Sequence, residues 1–507
     1  PVLYQLNVNI CGTNFSHQFS TRAGFRQVEF TAEGFLLNGR KLKLRGINRH
    51  QSYPYVGYAM GDHAQMADAD LIKNEFKFNL VRTSHYPQAP AFLDRCDELG
   101  LLVFEEIPGW QHIGDEVWQQ GAITNVRAMI ERDWNHPSII LWGVRINESR
   151  DCDNFYTQTN QLAHALDPSR QTGGVRCHAN STLLEDVYTM NDFVLNGGDV
   201  ALRKPQQVTG LDRQVPYMVT EFNGHMFPTK RFDCEERQHE HVLRHLRVLD
   251  ACYADPNIAG CIAWCLFDYN THKDFGSGDR ICYHGISDMF RMPKFAAYAY
   301  KSQCDVADEP VMQPVTFWAR GERCECLILP LIILTNCDEI EFKFGDYPTK
   351  RLKPAFDQFP HLPHPPVIID DKTISPEEFG EWGMKWNTVE LRGFHNGKLV
   401  SELTMSANPI ATKLRVKADY QRLPANEKAA TRVMIEALDQ DGNLMPFLDD
   451  IIQVTVSGPA KVIGPEQLVL KGGAVGLWLE AGKQRGDAVV TFTSRRLGSQ
   501  TLTLVVE

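Results

Sequence analysis

Between residues 39 and 305 the chain repeats a short apolar run followed by a longer stretch of helical character, and this repetition limits the fold more than any other feature. Eight apolar runs predict strands: Leu42–Asn48, Phe78–Ser84, Leu101–Ile107, Ser138–Ile146, Thr172–Arg176, Glu185–Met190, Tyr217–Glu221 and Ile258–Phe267. Helices are predicted between and after them, at Met66–Asn74, Ala89–Leu99, Ile123–Asp133, Asn154–Leu166, Glu235–Ala254 and near Pro293–Gln303. Strands that alternate with helices form βα units around a parallel sheet. Eight such units predict a (β/α)8 TIM barrel.

The residues before the barrel predict β structure. Leu3–Ile10 alternates between apolar and polar side chains, and a second strand is predicted near Gly24–Phe30, after a polar turn. Because two strands alone are only marginally stable, we interpret residues 1–33 as the remnant of an immunoglobulin-like β-sandwich whose earlier strands are missing. A hairpin packed on the barrel stays open as the alternative.

After residue 305 the helical pattern stops and strand patterns return. Strands are predicted at Phe317–Arg320, Cys326–Leu334, Thr388–Gly393, Lys398–Met405, Leu414–Ala418, Ala430–Leu438, Ile451–Val456, Ala474–Leu479 and Ala488–Thr493. Turn-forming residues separate these runs, which is typical of small β-sandwiches. The predicted fold is therefore multidomain: a sandwich remnant at 1–33, the barrel at 34–305, a β-sandwich at 306–410 and an immunoglobulin-like sandwich at 411–507.

Composition and charge argue against several classes of partner. The net charge of −11 comes without a basic cluster, which argues against nucleic acid as the main partner. No apolar run reaches about 18 residues, so no membrane-spanning helix is expected. The 13 cysteines are scattered and include no CxxC pair, so a zinc site is not expected. Free thiols in a reducing compartment are favoured over disulfides.

Two glutamates follow strands of the predicted barrel in the same way. The apolar run that begins at Ile139 becomes polar and ends in Asn147-Glu148, and the run from Pro216 to Thr220 is closed by Glu221. Polar residues at the C-terminal ends of barrel strands face the active site. Two carboxylates placed in this way suggest retaining glycoside hydrolysis, which needs an acid and a nucleophile roughly 5–5.5 Å apart. For Glu148 alone, a glutamate that starts a helix is the alternative.

Other residues near strand ends are candidates for substrate binding: Arg82, His85, His50, Asn147, Trp264 and Asp268. An arginine beside a carboxylate favours its ionised form, and an aromatic ring can stack on the apolar face of a sugar. Structural alternatives remain, because histidines and tryptophans are also common in cores and Asp268 begins a polar loop. Glu105 and Glu106 end the third strand, but the pattern gives them no role.

Four stretches of the sequence together resemble glycoside hydrolase family 2, which includes β-galactosidases, β-glucuronidases and β-mannosidases. In chain order they are Phe35–Gly39 with Leu44–His50, Asn79–Pro87 with Asp97–Val103, Arg132–Ser138 running on to Asn147-Glu148, and Thr220-Glu221. The resemblance covers residues 1–305 and depends on the order and spacing of these motifs. The C-terminal sandwiches are similar, more loosely, to accessory domains of the family.

The resemblance implies a role for each glutamate. Glu148 would be the acid/base and Glu221 the nucleophile, with retention of the β configuration. The resemblance also implies that an N-terminal sugar-binding jelly roll is missing from this chain. No organic cofactor is required, and no convincing set of metal ligands is found.

Three departures from the family pattern bear on the pocket. Arg145 lies unusually close to Glu148 in the sequence and could alter the pocket. Many members have Asn-x-Tyr on the sixth strand, whose tyrosine supports the nucleophile, but this chain has Asn191-Asp192-Phe193, so Tyr188 or another tyrosine would have to substitute. The Asn-x-Lys that holds the sugar carboxylate in glucuronidases is matched only poorly, by Asn270–Lys273. This mismatch argues against a glucuronidase without excluding one.

The sequence therefore predicts a retaining exo-β-glycosidase, with β-galactosides as the favoured substrates. A β-glucuronidase or other β-hexosidase is the alternative within enzymes, and a non-catalytic carbohydrate-binding protein is the alternative outside them. The expected partner is a carbohydrate, and assembly into a homo-oligomer stays open. A bacterial cytoplasmic location is favoured, with secretion or a periplasmic location as the alternative.

Overall fold

The computed structural model describes residues 1–193, 202–374 and 385–507. The chain divides into two compact units. The first comprises Pro1–Gln51, Asp68–Asn223 and Ala251–Cys265, and the second comprises Ser52–Ala67, Gly224–Asp250 and Leu266–Glu507. All barrel strands belong to the first unit, and the C-terminal β-sheets belong to the second. The prediction of a multidomain chain with one barrel is therefore confirmed.

Five short strands open the first unit: β1 (Tyr4–Gly12), β2 (Phe15–Ala23), β3 (Val28–Thr31), β4 (Gly34–Leu37) and β5 (Arg40–Lys41). The first two form an antiparallel hairpin, and the other three form a separate sheet. The prediction of a polar turn before Gly24 is wrong, because that segment forms β2. The side chains of β2 are mostly polar and exposed, so they do not alternate between apolar and polar in the sequence. Arg22 in β2 forms ion pairs with Asp94 and Glu98. The sandwich-remnant interpretation of residues 1–33 stays a prediction.

Eight parallel strands form a closed barrel, as predicted: β6 (Leu44–Arg49), β7 (Leu80–Thr83), β8 (Leu102–Glu106), β9 (Ile139–Gly143), β10 (Gln171–Arg176), β11 (Val187–Asn191), β12 (Tyr217–Glu221) and β13 (Ile258–Ala263). They follow one another in chain order, and β13 pairs with β6 to close the barrel. Buried apolar side chains from these strands, including Leu80, Leu141 and Met218, form one cluster. Because such a cluster is close-packed, it fixes the positions of the strands and of their ends.

The fourth and eighth barrel strands end earlier than the sequence predicted. They stop at Gly143 and Ala263, because the backbone then leaves the regular parallel register. As a result Asn147, Glu148 and Trp264 lie in the loops that directly follow strands. Loops at this end of a barrel carry binding and catalytic residues in proteins of this fold.

The described residues contain seven α-helices: α1 (Asp62–Asp70), α2 (Pro90–Leu99), α3 (Glu116–Asp133), α4 (Asp153–Leu166), α5 (Pro205–Thr209), α6 (Glu235–Ala254) and α7 (Phe295–Lys301). A π-helical turn at Leu71–Glu75 continues α1. α3 begins where the side chain of Asp115 accepts a hydrogen bond from the backbone N–H of Trp118. α2 ends at Gly100, whose φ of 65° favours glycine. The six predicted helices are all present, and α5 was not predicted.

Asp167, directly after α4, is a buried carboxylate whose ionisation stabilises the folded barrel. It accepts hydrogen bonds from Trp142 Nε1 at 3.0 Å, from Arg170 Nη1 at 2.5 Å and from the backbone N–H of Ser169. Burial opposes the charged form, but these donors outweigh it and lower the pKa of Asp167 from 3.8 to about 2. The folded state therefore holds this group ionised at pH values where the unfolded chain would protonate it.

The lowered pKa of Asp167 predicts a pH-dependent contribution to stability. Such a group stabilises the folded state above its unfolded pKa, and the contribution is lost as the pH falls from about 4 to 2. We expect Asp167→Asn to lower the free energy of unfolding by about 2 kcal/mol at about pH 5, and by much less near pH 2. Thermal unfolding of both proteins across this range measures the difference. A difference that stays constant down to about pH 2 contradicts the assignment.

The second unit contains a short strand pair and then two facing sheets. The strands are β14 (Tyr269–Asn270), β15 (Ile281–Cys282), β16 (Met312–Pro314), β17 (Leu331–Thr335), β18 (Glu339–Phe344), β19 (Lys350–Leu352), β20 (Val367–Ile369), β21 (Val389–His395) and β22 (Lys398–Met405). β16, β17 and β20 form one sheet, β18, β19, β21 and β22 form another, and Ile333 and Leu391 share their core. The strand predicted at Phe317–Arg320 is wrong, because Trp318 adopts a φ of 52° and a 3₁₀ turn follows.

The last hundred residues form a second two-sheet sandwich. Its strands are β23 (Lys413–Ala418), β24 (Arg422–Leu423), β25 (Ala430–Leu438), β26 (Ile451–Ser457), β27 (Ala460–Ile463), β28 (Gln467–Val469), β29 (Ala474–Ala481), β30 (Gly486–Ser494) and β31 (Gly498–Val506). One sheet has the order β23-β25-β29-β27 and the other β24-β31-β30-β26-β28. Apolar residues of both sheets, such as Val433 and Val490, form one buried core. The predicted domain boundaries at residues 33, 305 and 410 remain predictions.

The thirteen cysteines all lie in the described ranges, and none forms a disulfide bond there. Seven of them are buried, where a thiol packs as a small apolar group. Among the described residues, no helix combines the length and apolar character needed to cross a bilayer.

Candidate active site

The C-terminal ends of the barrel strands place the two candidate glutamates in one hydrogen-bonded cluster. Glu221 is the last residue of β12 and is buried, and Glu148 follows β9 and is half-buried. Asn147, the neighbour of Glu148, is also buried. These positions agree with the sequence-based expectation that polar residues at this end face a common site.

Arg82, in β7, is the centre of this cluster. Its buried guanidinium donates to Oε1 of Glu221 at 2.7 Å, to both carboxylate oxygens of Glu106 at 2.8 Å, and to the side-chain oxygens of Asn48 and Asn147 at 2.9 and 3.0 Å. A guanidinium offers five donors in a fixed plane, so these contacts fix several side chains at once. Arg82 thus both neutralises buried carboxylates and sets the geometry of the cluster.

The surroundings of Glu221 suit a carboxylate that reacts through one oxygen. Among the described residues, hydrogen bonds reach only Oε1 of Glu221, from Arg82, which leaves Oε2 available. Burial raises the pKa of Glu221, and the neighbouring Arg82 and His85 lower it. The negative charge of Glu148 raises that pKa further, so the two glutamates influence each other.

Glu148 is held at both carboxylate oxygens. Oε1 accepts a hydrogen bond from Asn191 Nδ2 at 3.0 Å, and Oε2 accepts from Trp110 Nε1 at 3.1 Å and from Gln111 Nε2 at 3.2 Å. Burial raises the pKa of Glu148, but the three donors outweigh it and lower the pKa below its ordinary value. The φ of Glu148 is 54°, a left-handed conformation that its backbone bond to Val175 helps to hold.

His50, His85 and Trp264 form an aromatic group beside the same cluster. The rings of His85 and Trp264 stack with centroids 5.2 Å apart and planes 7° apart, and His50 packs edge-on to both. Nδ1 of His85 lies 3.0 Å from Glu106, and Nε2 lies 3.5 Å from Asn147. The structure therefore brings together seven of the eight residues singled out from the sequence.

Asp268 is the eighth, and it belongs to the second unit. Its carboxylate accepts hydrogen bonds from Lys294 Nζ at 2.6 Å and from the backbone N–H of Gly285 at 2.9 Å, and both side chains are buried. Burial raises the pKa of Asp268 to about 7, against the opposing charge of Lys294. These contacts describe a structural ion pair, and the expected sugar contact stays a prediction.

The ion pair predicts that Asp268→Asn acts mainly on stability. The substitution leaves Lys294 buried without its counter-charge, and removing one partner of a buried pair costs about 3–5 kcal/mol. Measured above pH 7, where the carboxylate of Asp268 is mostly ionised, the midpoint of thermal unfolding should fall clearly. Asp274→Asn, an exposed position that follows in the chain, should change it little. An unchanged midpoint with a raised KM would instead favour a direct substrate contact.

Two questions left open by the sequence have structural answers. Arg145 is buried and donates to Glu185 at 2.9 Å, so its charge is engaged away from the two candidate glutamates. Tyr188 packs its ring on the guanidinium of Arg176, 4.5 Å away. The position of the family's tyrosine holds Phe193, and Asn191, the first residue of that motif, donates to Glu148 at 3.0 Å. Among the described contacts, Glu221 is supported by Arg82 and by no tyrosine.

Sequence reasoning missed several members of the cluster: Asn48, Glu106, Trp110, Gln111 and Asn191. Asn48, Glu106 and Asn191 lie within or at the ends of strands, so the strand-end rule could have found them. Glu106 was noticed without a role, and its partner Arg82 supplies one. Trp110 and Gln111 lie beyond the end of β8, and no local pattern marks them.

Among the described residues, one group of three side chains could hold a metal ion, because their ligand atoms lie close together. It consists of Asp94, Asp97 and His136. Asp94 is already paired with Arg22, and Asp97 accepts hydrogen bonds from His136 Nδ1 at 2.6 Å and from the backbone of Ser138. The carboxylate charges are therefore compensated by protein groups, and the group is interpreted as an ion-pair network.

Comparison with known proteins agrees with this architecture. The family model "Glycosyl hydrolases family 2, TIM barrel domain" matches residues 28–307, and the model "Glycoside hydrolase family 2 C-terminal domain 5" matches residues 414–503. A β-glycosidase structure from Bacteroides vulgatus shares the fold, with a TM-score of 0.79, 21% identity, and coverage of 99% of this chain and 69% of that one.

Two curated relatives are similar over nearly the whole chain. The chain is 58% identical to a β-galactosidase of Thermoanaerobacterium thermosulfurigenes, over 94% of this chain and 66% of the relative. It is 48% identical to a β-galactosidase of Rhizobium meliloti, over 98% of this chain and 67% of the relative. The chain thus spans about two thirds of the length of these relatives. It belongs to glycosyl hydrolase family 2.

Proposed function

We propose that this protein is a retaining exo-β-glycosidase that hydrolyses terminal β-linked galactosides. The observation that carries the proposal is a pair of glutamates with different surroundings, one at the end of β12 and one in the loop after β9. Glu221 is paired through one oxygen with Arg82, and Glu148 is held by neutral N–H donors. The two curated β-galactosidase relatives support the choice of galactosides over other β-linked sugars.

In the first step Oε2 of Glu221 attacks the anomeric carbon and forms an ester bond to the sugar. The bond between that carbon and the leaving-group oxygen breaks, and the oxygen keeps the electron pair and takes a proton from Glu148. Arg82 holds Oε1 of Glu221 at 2.7 Å, so the attacking oxygen is fixed in direction. The product of this step is a glycosyl-enzyme and a free leaving group.

In the second step Glu148 acts as a base. It removes a proton from water as the water oxygen attacks the anomeric carbon, and the ester bond to Glu221 breaks. Two inversions give net retention of the β configuration. We expect Asn147, which accepts a hydrogen bond from Arg82 at 3.0 Å, to bind the hydroxyl beside the reacting carbon.

In the first step Glu148 must be protonated and Glu221 ionised, and which of the two carries the proton depends on the bound sugar. As the structure stands, donors lower the pKa of Glu148 and burial raises that of Glu221, the reverse of what an acid and a nucleophile need. A leaving-group oxygen that replaces Trp110 and Gln111 at Oε2 removes two of those donors. Because the charge of Glu148 raises the pKa of Glu221, protonating Glu148 also favours the ionised nucleophile.

A panel of nitrophenyl β-glycosides tests the proposal, with the galactoside and the glucuronide measured side by side. The expected result is the highest kcat/KM on the galactoside, with an anomeric product that is initially β by NMR. A higher kcat/KM on the glucuronide would favour the β-glucuronidase alternative. Binding of sugars without turnover of any substrate would favour a carbohydrate-binding protein.

A further inference from the structure

The segment 109–111, which follows β8, is fastened to the site through its backbone. The N–H of Gly109 donates to the carbonyl of His85 at 3.2 Å, and the N–H of Gln111 donates to the carbonyl of Asn147 at 2.7 Å. Gln111 has a φ of 59°, a left-handed conformation that turns the chain at this point. A segment held by two site residues keeps a fixed position relative to the glutamates, as a binding element requires.

Both side chains of this segment converge on a single oxygen. Trp110 Nε1 and Gln111 Nε2 lie 3.1 and 3.2 Å from Oε2 of Glu148, whereas Oε1 of the same carboxylate faces Asn191. Asn191 in turn accepts a hydrogen bond from Thr220, the neighbour of the nucleophile, at 2.9 Å. Through Asn191, Oε1 of Glu148 is linked to the strand that carries the nucleophile, whereas Oε2 is bound by the segment 109–111.

The indole of Trp110 combines this position with access to solvent. The residue is 44% exposed, although its N–H is engaged with Glu148. An acid that protonates a departing oxygen lies between the sugar attached to the nucleophile and the group that leaves. A large flat ring beside Oε2 is thus in the place where a ring-bearing leaving group would lie.

We propose that Trp110 and Gln111 form the leaving-group subsite. The indole stacks on the flat apolar face of an aryl group or of a second sugar ring, and the amide of Gln111 binds its hydroxyl groups. This inference rests on the proposed glycosidase function and deepens it, because it assigns the residues that select what is cleaved off.

The test compares two substrates that leave without help from an acid: 2,4-dinitrophenyl β-galactoside, which has a ring, and β-galactosyl fluoride, which has none. For Trp110→Ala we expect kcat/KM on the dinitrophenyl substrate to fall roughly tenfold, the size of a lost ring contact, with the fluoride nearly unchanged. Trp110→Phe keeps a flat ring and should retain most of the activity on the dinitrophenyl substrate.

Trp134→Ala is the matched control. Trp134 is similarly exposed, but it precedes β9 and so lies toward the opposite end of the barrel strands. It should change neither substrate. If Trp110→Ala does not fold, Trp110→Leu, which keeps apolar bulk without a flat ring, makes the same comparison.

The outcomes separate this inference from the function on which it rests. Equal losses on both substrates, or no loss on the dinitrophenyl substrate, would overturn the subsite and leave Trp110 as a residue that only tunes Glu148. If the unmodified protein turns over neither substrate, the glycosidase proposal itself fails. A loss confined to the ring-bearing substrate supports the subsite.

Discussion

Replacing Glu221 with glutamine abolishes the release of sugar from every substrate, with an expected loss in kcat of at least about 10⁴-fold, as for other covalent nucleophiles. The amide of glutamine cannot form the ester that carries the sugar between the two steps. Its shape nearly matches that of the carboxylate, so the barrel should fold unchanged. Initial rates on the dinitrophenyl galactoside measure the loss, because that substrate needs no proton from Glu148.

A smaller side chain at the same position gives a second, stereochemical readout. In Glu221→Gly, azide can enter the space of the carboxylate and attack the anomeric carbon while the leaving group departs with its electron pair. The product should be the α-galactosyl azide. Glu131→Gln, on the exposed face of α3, is the control and should keep full activity. Residual turnover in Glu221→Gln close to that of the control would mean that another group is the nucleophile.

Glu148→Ala is expected to show the second large effect, and the effect should depend on the leaving group. Loss of an acid that protonates the departing oxygen costs roughly 10²–10⁴-fold on a disaccharide, whose alcohol leaves poorly. The first step on the dinitrophenyl galactoside should be nearly unaffected, because that leaving group needs no proton. Pre-steady-state release of dinitrophenol, followed by slow steady-state turnover, measures the two steps separately.

Azide also distinguishes the role of Glu148 from that of Glu221. In Glu148→Ala the glycosyl-enzyme still forms, and azide can attack it without a base, so the product should be the β-galactosyl azide. An α product, or equal losses on the disaccharide and the dinitrophenyl substrate, contradicts the acid/base role. The same experiment with Glu131→Gln should give no azide product above the unmodified level.

The barrel could be predicted from the sequence because its strands are buried apolar runs and its helices lie between them. The run from Ile139 to Trp142 is buried on both faces, and a continuous apolar run of this length is typical of a parallel strand covered on both sides. The strand-end rule then placed Glu148 and Glu221 on one side. By contrast β2 was missed, because an exposed two-stranded hairpin needs no apolar pattern.

The inner arrangement of the site could not be predicted, because it depends on contacts between distant segments. Glu106 gains its role only when Arg82 is seen to bind it at 2.8 Å. Trp110 donates to Glu148 from a segment whose left-handed turn at Gln111 is signalled by no neighbouring residue. Asp268 fitted the pattern of a pocket residue, yet its described contacts are those of a buried ion pair.

The central claim is that the sugar is carried on Glu221, and trapping that ester tests it most directly. A galactoside with fluorine at C2 and a good leaving group forms the glycosyl-enzyme but hydrolyses slowly, because fluorine disfavours the positively charged transition state. Digestion and mass spectrometry should then find one fluorogalactosyl group on the peptide that contains Glu221. A label on a different carboxylate, or complete turnover with no labelled peptide, contradicts the account.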